Sequence, residues 1–292
     1  MSRPSSLRTL RPLAALVAVL LPACGGGAGD QPSEPSANQF GDCARIAEII
    51  GEPTWVRPDD SMSTKCTLPP DRSVCISGVA IVAIDRFDET RDGKASGNFY
   101  IEDAVTADNP ADFSGVTVFR PSFSPPDLRL AEGDVADFAG NFEEFGGPST
   151  FVFPYCRTLP ELSGTLSFRF DANLPLLPRK FTSDDLKSYD TARKHIGTLV
   201  RVEGLTLAAD GKFDSSKHRW TAAIAVSGSI EQGDQPMISN ELFDIDAAIK
   251  DKTAPEFKAG TVFKGITGVV TYFGGFRLAP RSPADIEVMA GQ

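Results

Sequence analysis

Residues 140–147 read Gly-Asn-Phe-Glu-Glu-Phe-Gly-Gly, and residues 268–275 read Gly-Val-Val-Thr-Tyr-Phe-Gly-Gly. The two stretches align without a gap, and a glycine that opens a strand precedes each of them, Gly133 by seven residues and Gly260 by eight. A slip of one residue within a strand is what a β-bulge absorbs, and small barrels turn their corners at bulges and glycines. We therefore expect two copies of one β unit, unless Phe-Gly-Gly is a generic hairpin corner repeated by chance.

Short runs of β-branched and aromatic residues surround both stretches and are separated by Gly, Pro and Asp clusters, which is typical of an all-β protein. The runs predict strands at Val74–Asp85, Gly97–Asp103, Gly115–Phe119, Val135–Phe142 and Thr150–Phe153, and again at Thr198–Leu207, His218–Val226, Gly260–Thr271 and Phe276–Leu278. Two short helices are predicted, one between the N-cap Asp42 and Gly51 and one at Ser183–Tyr189. The stretch Ile238–Ile249 fits either a strand or a helix.

The order of several segments resembles a known family. In the first half the segments are Gly97–Asp103, Gly115–Phe119, Glu132–Val135 and the turn at residues 145–147. They resemble the OB-fold modules that bacterial cell-envelope lipoproteins and extracellular nucleases carry. The second half is similar to another such module through Gly197–Val202, Gly260–Val270 and Leu278–Ile286.

This resemblance covers about residues 73–288 of the chain. It implies an all-β fold with a few short helices, built as two tandem five-stranded OB-like barrels. In the nucleases such modules flank a metal-dependent catalytic domain, and nothing in this chain has the length or the residues to be that domain. The resemblance therefore implies a binding module without its enzyme.

The N-terminal residues predict export. Arg3, Arg8 and Arg11 precede an apolar run of eleven residues, Leu13–Ala23. A run of this length fits the core of a secretory signal peptide and is well short of the roughly 20 residues that span a bilayer.

The end of that run, Leu21-Pro22-Ala23-Cys24, resembles the lipobox of bacterial lipoproteins, in which the cysteine becomes the acylated N-terminal residue. Pro22 departs from the usual small or β-branched residue, and the alternative is an ordinary signal peptide followed by a chance cysteine. Gly25 favours the outer membrane, because an aspartate at that position is the usual retention signal in the lipoproteins that this chain resembles.

These signals divide the chain into five parts. After a signal peptide (1–23) come a lipidated tether (24–38), a segment with one helix and disulfides (39–72) and two barrels (73–170 and 180–292). The tether contains only small and polar residues after Cys24, so it cannot bury enough apolar surface to fold. Its flexible chain would reach about 20 Å from the membrane.

The four remaining cysteines, Cys43, Cys66, Cys75 and Cys156, predict two disulfides, which persist in exported proteins. Among the three possible connectivities we favour Cys43 with Cys66 and Cys75 with Cys156, since the first bridge would close a small segment that has little core of its own. A structural zinc site is the competing interpretation. It is disfavoured because no two of these cysteines have the close spacing of common zinc sites.

The sequence contains no recognisable catalytic motif. Of the two histidines, His195 ends a predicted helix and His218 opens a predicted strand. Neither lies in a sequence motif that would supply it with catalytic or metal-binding partners. The acidic run at residues 85–93 has enough oxygen atoms for Ca²⁺, but it lacks the spacing of known calcium loops, and a polar hairpin loop explains it better. We expect no enzymatic activity, no cofactor and no metal.

Candidate ligand-binding residues come from strand alternation. Phe99 and Ile101 share one face of their strand, so Tyr100 points outward, and Arg120 is a second outward candidate. The second half has the one basic and aromatic cluster that the sequence suggests, at Lys212, Lys217, His218, Arg219 and Trp220. The alternative is that Trp220 lies in the core and that the charges belong to a solvated loop.

Charge separates the candidate functions. Removing the three arginines of the signal peptide takes the formal net charge from −10 to −13, and such an acidic protein repels nucleic acids at long range. We therefore expect a lipid-anchored cell-envelope protein that binds or scaffolds a protein or glycan partner. A nucleic-acid-binding accessory in extracellular DNA handling is the alternative, and a metal-dependent hydrolase is a third.

Overall fold

Strands form most of the regular structure in the computed structural model, which describes residues 43–50, 66–89, 93, 95–104, 112–119, 130–149, 152–214, 219–230 and 235–289. The strands are β1 (Arg72–Ile84), β2 (Phe99–Asp103), β3 (Gly115–Val118), β4 (Asp134–Phe145), β5 (Leu159–Asn173), β6 (Arg179–Phe181), β7 (Leu199–Glu203), β8 (Lys212–Asp214), β9 (Arg219–Ala223), β10 (Met237–Ser239), β11 (Phe263–Tyr272), β12 (Phe276–Ala279) and β13 (Ile286–Val288). The helices are α1 (Ile46–Ile50), α2 (Tyr189–Ala192) and α3 (Ile245–Lys250). The prediction of a mostly β protein with a few short helices is confirmed.

The first five strands close into a barrel in the order β1-β2-β3-β5-β4, with β4 pairing back onto β1. β3 and β5 are parallel, and the other neighbours are antiparallel. The register between β1 and its two neighbours shifts within Ile76–Val79 and within Ile81–Ala83. Such irregularities bend the long first strand, so it can pair with β4 on one side and with β2 on the other.

The fifth strand of the barrel is β5, so the prediction of a strand at Thr150–Phe153 is wrong for the residues of it that are described. Val152 and Phe153 form no strand, and a short 3-10 turn begins directly afterwards at Pro154. Pro160 and Gly164 make β5 look like a loop in the sequence. The fold accommodates Gly164, with a φ of +61°, next to an irregularity in the pairing with β4.

The remaining strands form an open sheet in the order β6-β7-β11-β12-β10-β9-β8, with β13 paired to β11. This differs from the closed second barrel that the sequence predicts. The sheet nevertheless curls, because residues after β7 meet residues after β9 at a single antiparallel bridge, Leu207 with Ile224. β10 and β12 are parallel neighbours, as β3 and β5 are in the barrel.

The repeated stretches occupy matching places in the barrel and the open sheet. Gly140 in β4 pairs with Val74 in β1, and Gly268 in β11 pairs with Val200 in β7. A Cβ on Gly140 would lie 2.8 Å from the carbonyl oxygen of Ser163, and a Cβ on Gly268 would lie 2.8 Å from that of Ala279. Both glycines are therefore needed where the next strand passes close by.

The aligned phenylalanines that follow these glycines converge on one ring. The ring centroid of Phe153 lies 5.9 Å from that of Phe145 and 5.5 Å from that of Phe273. Phe153 is fully buried and belongs to the hydrophobic core of the open sheet, although it follows the fourth strand of the barrel. The two repeats are thus joined by one aromatic side chain.

The N-terminal part packs on the barrel. Ile46 and Ile50 of α1 enter the barrel core, and the backbone N–H groups of Ile46 and Ala47 donate to the carboxylate of Asp103 at 2.8 and 3.2 Å. The ambiguous stretch 238–249 contains both predicted structures, since β10 ends at Ser239 and α3 begins at Ile245.

The predicted disulfide connectivity is wrong, although all four cysteines are paired. Cys43 is bonded to Cys75 with Cα atoms 4.5 Å apart, and Cys66 is bonded to Cys156 with Cα atoms 5.5 Å apart. The reason lies next to Cys43, where Ala44 forms a parallel bridge with Ile76. This pairing places Cys43 beside β1, so the first disulfide fixes α1 to the barrel rather than closing an N-terminal segment.

The barrel and the open sheet pack together closely. Val82 and Tyr100 of the barrel share a small apolar cluster with Leu199, Val269 and Ala279 of the sheet. All described residues belong to one compact unit, and no helix among them is both long and apolar enough to span a bilayer.

Candidate functional site

The predicted ligand-binding and lipidation residues fall into two groups. Cys24, Arg120, Lys217 and His218 lie outside the described residues. Tyr100, Lys212, Arg219 and Trp220 lie within them, on β2, β8 and β9.

Tyr100 is not available to a ligand, although it lies on the predicted face of β2, opposite to Phe99 and Ile101. Phe99 and Ile101 pack in the barrel core, and Tyr100 points out of the barrel. The open sheet covers this side, so that Tyr100 is only 2% exposed and its hydroxyl donates to Glu241 Oε1 at 2.7 Å. The expectation of an outward-facing ligand contact is therefore wrong, because the outer face of β2 is an internal interface.

Trp220 belongs to the core of the open sheet, which was the alternative interpretation of the cluster. It is 2% exposed, and its ring meets that of Phe257 edge to face with centroids 4.9 Å apart. Its neighbour Arg219 therefore points to the outer side of β9, and Lys212 on β8 is exposed. Of the predicted cluster, Lys212 is exposed, the Arg219 side chain is only 20% exposed, and Trp220 lies beneath them in the core.

The outer side of β8, β9, β10 and β12 carries residues from all four strands. Thr221 in β9 is opposite both Lys212 and Ser239, and Met237 in β10 is opposite Arg277 in β12. Residues that alternate with these, such as Ala222 and Ile238, lie in the core. Because it is the candidate surface for contact with a ligand, we call it the binding face; its members are Lys212, Arg219, Thr221, Met237, Arg277 and, at the adjoining turn, Phe273.

Phe273 is the aromatic residue that the sequence interpretation missed. Its side chain is 37% exposed and lies in the turn between β11 and β12. The guanidinium carbons of Arg219 and Arg277 stand 5.1 and 5.7 Å from its ring centroid, and Phe153 supports the ring from within the fold. The sequence does contain a signal that points to Phe273, because this residue is part of the repeated Phe-Gly-Gly turn.

Carboxyl groups lie behind the two arginines. Arg219 Nη2 donates to Glu89 Oε1 at 2.5 Å, and Arg277 Nη1 lies 3.9 Å from Glu241 Oε2. Thr271 Oγ1 also donates to Glu241, at 2.7 Å. We call Asp85, Glu89, Glu241, Arg219 and Arg277 the charge cluster.

Burial controls the ionisation of this cluster. Burial and the nearby charge of Glu241 raise the pKa of Glu89 to about 7 and that of Asp85 to about 6. Two carboxyls of the acidic run at residues 85–93, those of Asp85 and Glu89, thus interact with the mostly buried guanidinium group of Arg219. In the part of the chain that the structure describes, no three His, Cys, Asp or Glu residues are placed to hold a metal ion.

His195 has a structural environment. Arg179 Nη1 lies 2.6 Å from His195 Nδ1, which therefore acts as the acceptor of the hydrogen bond, and the ring packs edge to face on Phe181. Burial and the positive charge of Arg179 lower the pKa of His195 to about 4. The imidazole is therefore neutral at physiological pH, and its Nδ1 accepts a hydrogen bond from Arg179.

A cavity between the barrel and the segment 174–177 has a volume of about 20 Å³ and is lined by Ala80 and Glu102. This is room for one water molecule, so the cavity does not fit a larger ligand. No known protein-family model matches the chain, and no curated protein matches it in sequence.

Proposed function

We propose that this chain is a lipid-anchored cell-envelope protein that binds or scaffolds a protein or glycan partner through its binding face. The observation that carries the proposal is the exposed Phe273 ring between the guanidinium groups of Arg219 and Arg277. Aromatic and arginine side chains are enriched among residues that dominate binding energy. A ring that is already held in place loses little conformational entropy when a partner covers it.

The strand order supports two OB-like modules. The barrel order is β1-β2-β3-β5-β4, and in the second half β7, β9, β10, β12 and β11 have the same order if the bridge between Leu207 and Ile224 closes the ring. The parallel pair falls in the same place in both halves. α3 lies between the third and fourth strands of this second module.

OB-like modules bind ligands on the face of their second and third strands and on the loops beside it. In the barrel these strands are β2 and β3, and at Tyr100 the open sheet covers their outer face. In the second half they are β9 and β10, which carry Arg219, Thr221 and Met237 of the binding face. The first module thus contributes its face to the internal interface. In the second module Arg219 and Arg277 also meet carboxyls at the contact with the barrel, and Phe273 and Lys212 beside them are the residues left for a partner.

The lipobox at Cys24 and the tether predicted for residues 24–38 support membrane attachment, and Gly25 supports the outer membrane. The mass of the protein from native membranes tests this part of the proposal. A diacyl or triacyl mass on Cys24 is the expected result, and an unlipidated mass would contradict anchoring.

Binding is tested by replacing Phe273 with serine. The control is Ile230→Ser, because Ile230 is 37% exposed, as Phe273 is, and lies outside the binding face. Each protein is incubated separately with isolated cell-wall glycan and with solubilised envelope proteins. Bound envelope proteins are then captured by cross-linking. We expect one of these ligands to be retained by the wild type and the control and lost by Phe273→Ser.

Equal retention by both variants would contradict the binding face. Salt-sensitive binding of single-stranded DNA, with no binding to either envelope ligand, would instead favour the nucleic-acid function.

A further inference from the structure

The charge cluster is not balanced when all its groups are ionised. It contains three carboxyls, on Asp85, Glu89 and Glu241, and two guanidinium groups, on Arg219 and Arg277. Tyr100, the other titratable group that faces Glu241, is neutral because burial and Glu241 raise its pKa well above the usual value. Full ionisation therefore leaves one net negative charge, and one bound proton makes the cluster neutral.

Glu89 is where a proton is best placed. The residue is only 6% exposed, and while its Oε1 accepts from Arg219, its buried Oε2 has no hydrogen-bond partner among the described residues. A buried ionised oxygen without a partner costs far more free energy than a buried neutral hydroxyl. The raised pKa of Glu89 agrees with this geometry.

The cluster joins the two halves of the protein. Asp85 and Glu89 follow β1 of the barrel, whereas Arg219 and Arg277 lie in β9 and β12 of the open sheet and Glu241 lies two residues after β10. Any charge that appears in the cluster therefore acts on the contact between the barrel and the sheet.

We propose that the charge cluster holds one proton, shared around Glu89, at neutral and acidic pH, and that release of this proton to solvent as the pH rises loosens the barrel from the open sheet beside the binding face. This inference uses only contacts within the chain and does not depend on the proposed partner or anchor. In an exported protein it would link the binding face to the acidity outside the cell.

The first test counts protons. The pH dependence of the unfolding free energy of the purified protein gives the number of protons released on unfolding. At pH 6 we expect about one proton fewer to be released by Glu89→Gln than by the wild type, and we expect this difference to vanish toward pH 8 as the folded wild type loses its proton, because glutamine keeps the shape of the protonated acid without titrating. Glu256→Gln, at an exposed glutamate, serves as the control and is expected to match the wild type.

A second variant tests the charge balance at another residue. Glu241→Gln leaves two carboxyls and two guanidinium groups, so the cluster is neutral without a proton and this variant also releases about one proton fewer at pH 6. If the Glu89→Gln protein does not fold, the proton count of Glu241→Gln tests the proposal in its place. The infrared difference spectrum of wild type minus Glu89→Gln at pH 6 is expected to show the carbonyl band of a protonated carboxyl.

The loosening is measured by hydrogen exchange. The amide of Asp85 donates to Asn98 at 2.8 Å and that of Trp220 donates to Asn240 Oδ1 at 3.1 Å, one on each side of the contact. We expect their protection factors to fall between pH 6 and 8 in the wild type and to stay constant in Glu89→Gln. Proton release equal to the wild type in both glutamine variants, or protection factors that do not fall in the wild type, would overturn the proposal.

Discussion

Tyr100 of the barrel and Glu241 of the open sheet, 141 positions apart in the sequence, share a hydrogen bond of 2.7 Å. Tyr100→Phe removes the donor and leaves a largely buried carboxylate with one partner fewer. We expect the variant to lose about 2 kcal/mol of unfolding free energy, the usual contribution of a hydrogen bond to a charged group. Urea unfolding measures this loss.

The control is a double-mutant cycle with Glu241→Gln. If the loss comes from this contact, Tyr100→Phe costs clearly less in the Glu241→Gln background. Equal costs in both backgrounds would mean that the hydroxyl does not act through Glu241.

A second prediction concerns the glycines where β3 meets the segment before β7. A Cβ on Gly115 would lie 2.6 Å from Thr198 Cγ2 and 2.7 Å from the carbonyl oxygen of Ile196, and a Cβ on Gly197 would overlap the backbone of Val116. We expect Gly115→Ala to cost about 2 kcal/mol by overpacking. Gly197→Ala should cost more, because its φ of +83° adds backbone strain.

Gly204→Ala is the matched control, since Gly204 also has a positive φ, +63°, but no atom of the described residues lies within 4 Å of the added Cβ. Its loss should be about 1 kcal/mol, the backbone strain alone. A Gly197→Ala protein as stable as the Gly204→Ala protein would argue against close packing at this contact.

The third prediction concerns the pH dependence of stability. Glu161 is 5% exposed, and burial together with Glu143 directly opposite on β4 raises its pKa from 4.5 to about 8. The folded state therefore binds this proton more tightly than the unfolded state, so the stabilisation is complete below pH 4.5 and is lost as the pH rises toward 8. Glu161→Gln should make the fall in unfolding free energy across this range shallower by about 1.4 kcal/mol per pH unit.

Two further variants show the cause. Glu143→Gln removes the neighbouring charge, so the stability of this variant should level off at a lower pH than that of the wild type. Glu203→Gln, at an exposed strand position, should leave the slope unchanged. An unchanged slope in Glu161→Gln would show that Glu161 titrates normally.

The fourth prediction concerns the disulfides, whose partners are 32 and 90 residues apart in sequence. Closing loops of these lengths in the unfolded chain corresponds to about 4 and about 5 kcal/mol of stabilisation. Replacing Cys66 and Cys156 by alanine should therefore cost slightly more than replacing Cys43 and Cys75. Mass spectrometry of unreduced peptides should find Cys43 linked to Cys75, and a Cys43–Cys66 peptide would contradict the structure.

The sequence predicts the first four strands of the barrel well, because each is a run of β-branched and aromatic residues between strong turn residues. It misses β5, since Pro160 and Gly164 interrupt the pattern. In the structure Gly164 lies at an irregularity in the pairing with β4, whereas Pro160 stays in register opposite Glu144. The repeat is visible because Gly140 and Gly268 meet the same steric demand from the strand that follows.

The binding face is predicted only in part. Alternation along β9 places Arg219 and Trp220 on opposite sides of the strand. Which of the two faces the core depends on which side of the strand the sheet buries, and the sequence does not show this. The covering of Tyr100 is not visible locally, because the residues that cover it come from the distant second half. Phe273 becomes prominent only when two arginines from different strands meet over its ring.

The disulfide between Cys43 and Cys75 determines how tension on the N-terminus enters the fold. A pull on the chain that precedes Cys43 reaches the disulfide before it reaches α1, so the load passes into β1, which is paired on both sides within the barrel. α1 lies beyond this covalent link and carries little of the load. Peeling α1 away from the N-terminal side would thus require breakage of a covalent bond.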